Sequence, residues 1–133
     1  MSFSEEAPAF TIEIDPMLPE ISLDSKRIRQ VFANLLSNAL RYTPADGEIR
    51  VGLARRNDGL ELSVSDTGIG IAEEDLPHLF ERFYRGDPAR NRTGGSGLGL
   101  AIAKQWVEAH GGQITARNRR DGGARFAIWL PMA

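Results

Sequence analysis

Residues 49–64 read IRVGLARRNDGLELSV, and this stretch decides the fold class. Ile49, Val51 and Leu53 alternate with their neighbours, Leu60, Leu62 and Val64 do the same, and Asn57-Asp58-Gly59 joins the two runs. Alternation at a period of two marks strands with one buried face, and Asp-Gly between such runs is a strong hairpin signal. An antiparallel pair therefore occupies the middle of the chain.

Upstream, Ile28, Val31, Phe32, Leu35, Leu36 and Ala39 recur at helical spacing and form one apolar stripe. Asp24 or Ser25 can cap this helix, and Pro44 and Gly47 stop it. Before it, Phe10, Ile12 and Ile14 alternate with Thr11 and Glu13, which predicts a half-buried strand that Pro16 and Pro19 end. Downstream of the hairpin, residues 66–72 (DTGIGIA) form a glycine-bearing loop, and a short helix is expected around Glu73–Phe80. Residues 84–97 (YRGDPARNRTGGSG) lack periodicity and read as a long loop. The next helix, from about Leu98 to His110, is apolar on both sides and should be buried. Gly111-Gly112 closes it, and strands near 113–118 and 124–130 follow. This order predicts an α+β, two-layer sandwich: a mixed, mostly antiparallel sheet with its helices on one face.

The length of 133 residues suits a single domain spanning 1–133. The absence of cysteine excludes a disulfide framework and thiolate metal sites. No stretch approaches the ~18 apolar residues of a membrane span, and a net charge of −2 argues against non-specific nucleic-acid binding. Charge is uneven, however. The first 24 residues hold six acids and no base, which leaves 16 bases against 12 acids beyond them. Nine of the 14 glycines lie between Gly86 and Gly123, near several arginines, which suggests a backbone that approaches something anionic.

Three constellations could carry chemistry. Asn34 and Asn38 stand four apart on the first helix, with Arg41 and Tyr42 one turn on, all on one flank of the apolar stripe. Asn is a poor helix-interior residue. The pair either satisfies local polar groups at the core edge or offers an amide oxygen to Mg²⁺, whose other ligands would be water and phosphate. Asp66-Thr67-Gly68-Ile69-Gly70 follows a strand end. Its carboxylate can accept from an exocyclic amino group such as adenine's, or simply close an Asx turn. Gly94-Gly95-Ser96-Gly97-Leu98-Gly99-Leu100 opens the apolar helix, where free N–H groups suit an anion, and Arg82, Arg85, Arg90 and Arg92 lie just upstream. There is no Walker loop, and a Rossmann fingerprint fails because Leu100 stands where its third glycine would fall. His78 and His110 read as structural or solvent-facing, His110 as a last-turn residue where an imidazolium would suit the helix dipole.

In this order, the segments NLLSNALRYTP (34–44), DTGIGI (66–71), LFERFYR (79–85), GGSGLGLAI (94–102) and GGARFAIWLP (122–131) closely resemble the boxes of the catalytic ATP-binding domain of bacterial sensor histidine kinases. The resemblance runs from about Lys26 to Pro131. It implies a Bergerat fold binding ATP and Mg²⁺, with residues 84–97 as an ATP lid and residues 1–8 as a linker remnant. It also implies that Asn38 ligates Mg²⁺ with Asn34 nearby, that Asp66 receives the adenine amino group, and that Tyr42 packs by the base. Arg41 stands where the family often has Lys. Gly68, Ile69, Gly70 and Ile71 would line the base, and Gly95, Gly97, Leu98, Gly99 and Leu100 would face the phosphates. Phe80 and Phe83 would anchor the lid, with Arg82 and Arg85 reaching the γ-phosphate or the partner domain. Ala124 departs from the usual Thr of the last box.

Gyrase-type and chaperone-type relatives in this fold carry a water-activating Glu where this chain has Asn34, which cannot act as a base near neutral pH. The resemblance therefore implies phosphoryl transfer to a His rather than rapid hydrolysis. The alternatives are an ATPase of the same fold or a degenerate nucleotide-binding module. Neither His78-Leu79 nor His110-Gly111 fits an acceptor, which a family member carries with an acidic residue after the His. The expected partners are a His-bearing dimerisation domain of the parent kinase and, indirectly, a response regulator. The domain is expected to be cytoplasmic, in a membrane-anchored homodimer, and unable to autophosphorylate alone.

Overall fold

The computed structural model describes residues 7–81 and 99–132. Five strands form one sheet: β1 (Ala9–Ile14), β2 (Glu48–Arg56), β3 (Gly59–Asp66), β4 (Gln113–Asn118) and β5 (Ala124–Pro131), in the order β1-β2-β3-β5-β4. β1 pairs parallel to β2 and every other pair is antiparallel, so the sheet is mixed, as expected. Two helices, α1 (Ser25–Tyr42) and α2 (Gly99–Ala109), contribute to the same core.

That core has three contributors. Val31, Leu35 and Ala39 descend from α1, and Ala103 and Val107 from α2. They meet Ile49, Val51, Leu62, Val64, Phe126, Ile128 and Leu130, the alternating inward residues of β2, β3 and β5. On the other face the sheet is laced by charge. Glu61 accepts from Arg125 at 3.0 Å and pairs with Arg56 at 3.2 Å.

Four sequence expectations are refined. Asp24, rather than Ser25, caps α1: its side chain accepts from the N–H groups of Lys26 (3.1 Å) and Arg27 (3.2 Å). The hairpin turns on Asn57 and Asp58, at φ 47° and 60°, while Gly59 already pairs with Arg56 as the first residue of β3. Asn and Asp tolerate this left-handed region, so a two-residue primed turn forms one position earlier than Asp-Gly suggested. The short helix over 73–80 shrinks to a 3-10 turn at Leu76–His78. Pro77 has no N–H for a helical bond, and the local bonds run i to i+3, from His78 to Asp75 and from Glu81 to His78. Finally, the period-two pattern of β1 marks a strand but not its burial. Phe10, Ile12 and Ile14 are 47%, 66% and 59% exposed, because β1 is the sheet edge and the helices cover the strands further in.

α2 also differs from expectation. It is not buried all round: Ala103 and Val107 are fully covered, Leu100 and Trp106 pack partly on the core, and Lys104, Gln105 and Glu108 face outward. A helix lying over β4 and β5 with α1 on one side has an outer flank that nothing among the described residues covers. The two helices run antiparallel. Asp24 meets His110, Arg27 sits 4.0 Å above the Trp106 ring, and Asn34 meets Gly99. His110 is structural: its Nε2 accepts from Asp24 N–H (2.9 Å) and its Nδ1 lies 2.8 Å from the Trp106 carbonyl. That pairing suits the tautomer that accepts at Nε2 and donates from Nδ1.

Candidate functional site

Asn34, Asn38, Arg41 and Tyr42 share one flank of α1, as 100° per residue dictates once Val31, Leu35 and Ala39 turn to the sheet. Glycine segments bracket this flank at both ends. At Asn34, the side-chain N–H donates to the Gly99 carbonyl (3.1 Å), where α2 begins and where Leu100 follows. At Tyr42, the backbone carbonyl lies so close to Gly68 that a Cβ there would collide with it; only glycine lets the loop pass. Eight residues of helix separate the two contacts, about 12 Å of rise.

Between them lies Asn38. Its Nδ2 is buried and has no hydrogen-bond partner among the described residues. An unpaired buried amide costs about 1–3 kcal/mol, so this position is complete only when something else supplies a partner. The two ends of a side-chain amide are sterically alike, and either can be turned to that position. An amide oxygen is a neutral ligand suited to Mg²⁺, and the NH₂ suits a phosphate oxygen. Among the described residues no group of three or more His, Asp or Glu could hold a metal by itself. A metal here would draw most of its ligands from phosphate and water, which is the habit of Mg²⁺. The residues present fit a Mg–nucleotide.

At the other end, β3 delivers Asp66, 4% exposed. Its Oδ1 accepts from Gly68 N–H (2.9 Å) and Ala124 N–H (3.3 Å). Oδ2 has no partner among the described residues, so the carboxylate is fixed by one oxygen and keeps the other for a donor. The loop beyond is tied down at both ends. Thr67 N–H donates to the Glu48 carbonyl (3.1 Å), and Glu48 N–H donates to Thr67 Oγ1 (2.9 Å). Ile69 is 63% exposed, Gly70 has φ 75°, and Ile71 is buried in the core cluster.

Three contributors were not anticipated from sequence, and all lie on the β4–β5 hairpin. Asn118 bonds both backbone groups of Ile71, and Arg119 donates to the carbonyls of Asp66 (3.2 Å) and Gly122 (3.1 Å). Gly123, at φ 84°, lies where a Cβ would strike the Asp66 carbonyl. Only the glycines of this turn were visible as a signal, and they read as turn residues. Phe80 meets Phe126 edge-on, with ring centroids 6.4 Å apart. Arg82, Phe83, Arg85, Gly95, Gly97 and Leu98, and the lid expected over 84–97, lie outside the described residues.

A cleft with a strand-end carboxylate at one end, an incomplete asparagine midway and a glycine-led helix at the other defines a nucleotide-binding α+β sandwich. Residues 23–133 match the family described as histidine kinase-, DNA gyrase B-, and HSP90-like ATPase, and the chain belongs to it. Within that family its relatives are sensor kinases. It is 48% identical over 116 residues to the sensor protein SphS of Synechococcus elongatus, covering 81% of this chain and 28% of SphS. It is 44% identical over 110 residues to the signal transduction histidine-protein kinase BaeS of Escherichia coli, covering 82% of this chain and 24% of BaeS. Among solved structures, the catalytic domain of the histidine kinase ThkA superposes with a TM-score of 0.80 at 31% identity, covering 92% of this chain and 79% of that one. The mycobacterial sensor histidine kinase MprB gives 0.78 at 34% identity, over 92% of this chain and 80% of that one. The chain is thus an ATP-binding catalytic domain of the sensor histidine kinase type. It spans only about a quarter of the length of the curated relatives SphS and BaeS.

Proposed function

We propose that this domain holds ATP along the α1 flank, base at Asp66 and phosphates toward Asn38 and Gly99, and passes the γ-phosphoryl group to a histidine on a separate helical domain of the same sensor kinase. Asp66 Oδ2 accepts from the adenine amino group, and Tyr42 packs beside the base. Asn38 supplies a protein ligand to Mg²⁺, which when bound neutralises charge on the phosphate oxygens. Arg41, Arg82 and Arg85 add positive charge on the phosphate side. In the transfer, the bond from the γ-phosphorus to the bridging oxygen of ADP breaks and a bond to an imidazole nitrogen of the acceptor forms.

The observation that carries transfer over hydrolysis is Asn34. Its amide donates to the Gly99 carbonyl, so the side chain braces two helices and has no basic group with which to activate water. Phosphoryl transfer needs chiefly positioning and charge stabilisation, which this flank can provide. The relatives' names as sensor kinases agree with this reading. The parent is then a membrane-anchored homodimer that signals through a response regulator, with residues 1–133 as one catalytic unit. Among the described residues no helix is long and apolar enough to cross a membrane.

The test mixes the domain with the parent's His-bearing helical domain and ATP labelled on the γ-phosphate. Acid-labile, base-stable label on the helical domain is expected, with little phosphate released by the catalytic domain alone. Rapid hydrolysis without transfer would instead assign the domain to the ATPases of its family.

A further inference from the structure

We infer that Asn118 is a positioning residue for base recognition, holding the 66–71 loop through the backbone of Ile71 so that Asp66 presents its free oxygen to the purine amino group. The inference rests on the proposed reading of Asp66 as the base acceptor. Asn118 Oδ1 accepts from Ile71 N–H at 2.7 Å, and its Nδ2 donates to the Ile71 carbonyl at 2.6 Å. A side-chain amide paired this way copies what a neighbouring strand would do, for one residue, across a sequence separation of 47. Ile71 cannot rotate or slide without breaking both bonds.

The position of Asn118 in the sheet makes the clamp act on Asp66. Asn118 is the last residue of β4 and pairs in register with Ala124, the first of β5. Ala124 N–H is one of the two donors on Asp66 Oδ1. One rung of the β4–β5 ladder therefore carries both tethers, Ala124 to the start of the loop and Asn118 to its end. Arg119, the next residue, adds a third bond to the Asp66 carbonyl. Thr67 is also held by Glu48, and residues 68–70 run from there to the Ile71 clamp, so the direction of Oδ2 follows from where these anchors sit. Ala124 acts here through its backbone, so no side-chain hydroxyl is needed at this position to tether Asp66 to the hairpin.

A residue that merely stabilised the hairpin would affect every nucleotide alike. A positioning residue affects only the ligand whose base amino group uses Asp66. The test measures calorimetric affinities of the 133-residue chain for ADP and for the purine nucleoside diphosphate lacking the 6-amino group, both with Mg²⁺. The variants are Asn118→Ala, Asn118→Asp and Asp66→Asn. Asn118→Ala should weaken ADP by about tenfold and leave the analogue within twofold, narrowing the preference by the same factor. Asn118→Asp keeps an acceptor for Ile71 N–H but loses the donor, and should fall between wild type and alanine. It also serves if the alanine variant does not fold. If Asp66→Asn collapses the preference while both Asn118 variants leave it unchanged, or weaken the two ligands equally, Asn118 is only structural and the inference is overturned. If Asp66→Asn itself leaves the preference intact, the reading of Asp66 as the base acceptor is what fails.

Discussion

The two ends of the α1 flank are finished to different degrees. Around Asp66, Thr67 and Ile71, backbone and side-chain groups are paired several times over, and a single carboxylate oxygen is left for a ligand. Around Asn34 and Asn38, among the described residues, one interhelical side-chain bond is made and one buried amide has no partner. The Asp66 end is pre-organised, so if it is the base end, as proposed, recognition there would cost little reordering. Under the proposed reading the Asn38 end is the phosphate end, left for the ligand to complete, which would suit a group released as ADP after transfer.

Four substitutions can break or sharpen that contrast. Asn38→Ala should have the largest effect, lowering transfer to the acceptor domain by about 10²–10³-fold, because it removes a group acting where charge is handled. Transfer within threefold of wild type in a labelled-ATP assay would mean the unpaired amide serves no ligand. Asp66→Asn should cost about 1.5–3 kcal/mol of ATP affinity, the range for a hydrogen bond to a charged group. Calorimetry that showed no loss would remove the distinction between the two ends. Gly68→Ala drives a methyl into the Tyr42 carbonyl and should destabilise the fold by about 1–3 kcal/mol, visible as a lower Tm. An unchanged Tm would show that the base end yields more easily than its bonds imply. Asn34→Ala should be mildest, costing about 0.5–1.5 kcal/mol of stability through the lost bond to Gly99, with transfer reduced less than in Asn38→Ala. A loss equal to that of Asn38→Ala would make the two asparagines one functional unit.

The fold was legible because its signals are local. The alternation of Ile49, Val51 and Leu53 and the stripe of Val31, Leu35 and Ala39 each need only neighbouring residues to be read. What escaped depends on partners distant in sequence. Phe10, Ile12 and Ile14 carry the same alternation as β2, and only the strand order places them on an edge. In the site, Asp66 and Asn38 stand in motifs whose residue types name their chemistry. Asn118 does not: it reads only as the end of a strand near 113–118, and its bonds to Ile71 exist only once the hairpin docks.

The pairing of Asp24 with His110 and of Arg27 with Trp106 has a mechanical side. It fastens the start of α1 to the close of α2, at the end farther from Gly99. A rod fastened near one end pivots there, and its displacement grows with distance from the fastening. For a given rotation of α2 against α1, Trp106 moves least and Gly99 most, over roughly 10 Å of helix at 1.5 Å per residue. Any such rotation would therefore be delivered where Asn34 grips Gly99, while Asp66, at the end of a strand, would ride on the sheet.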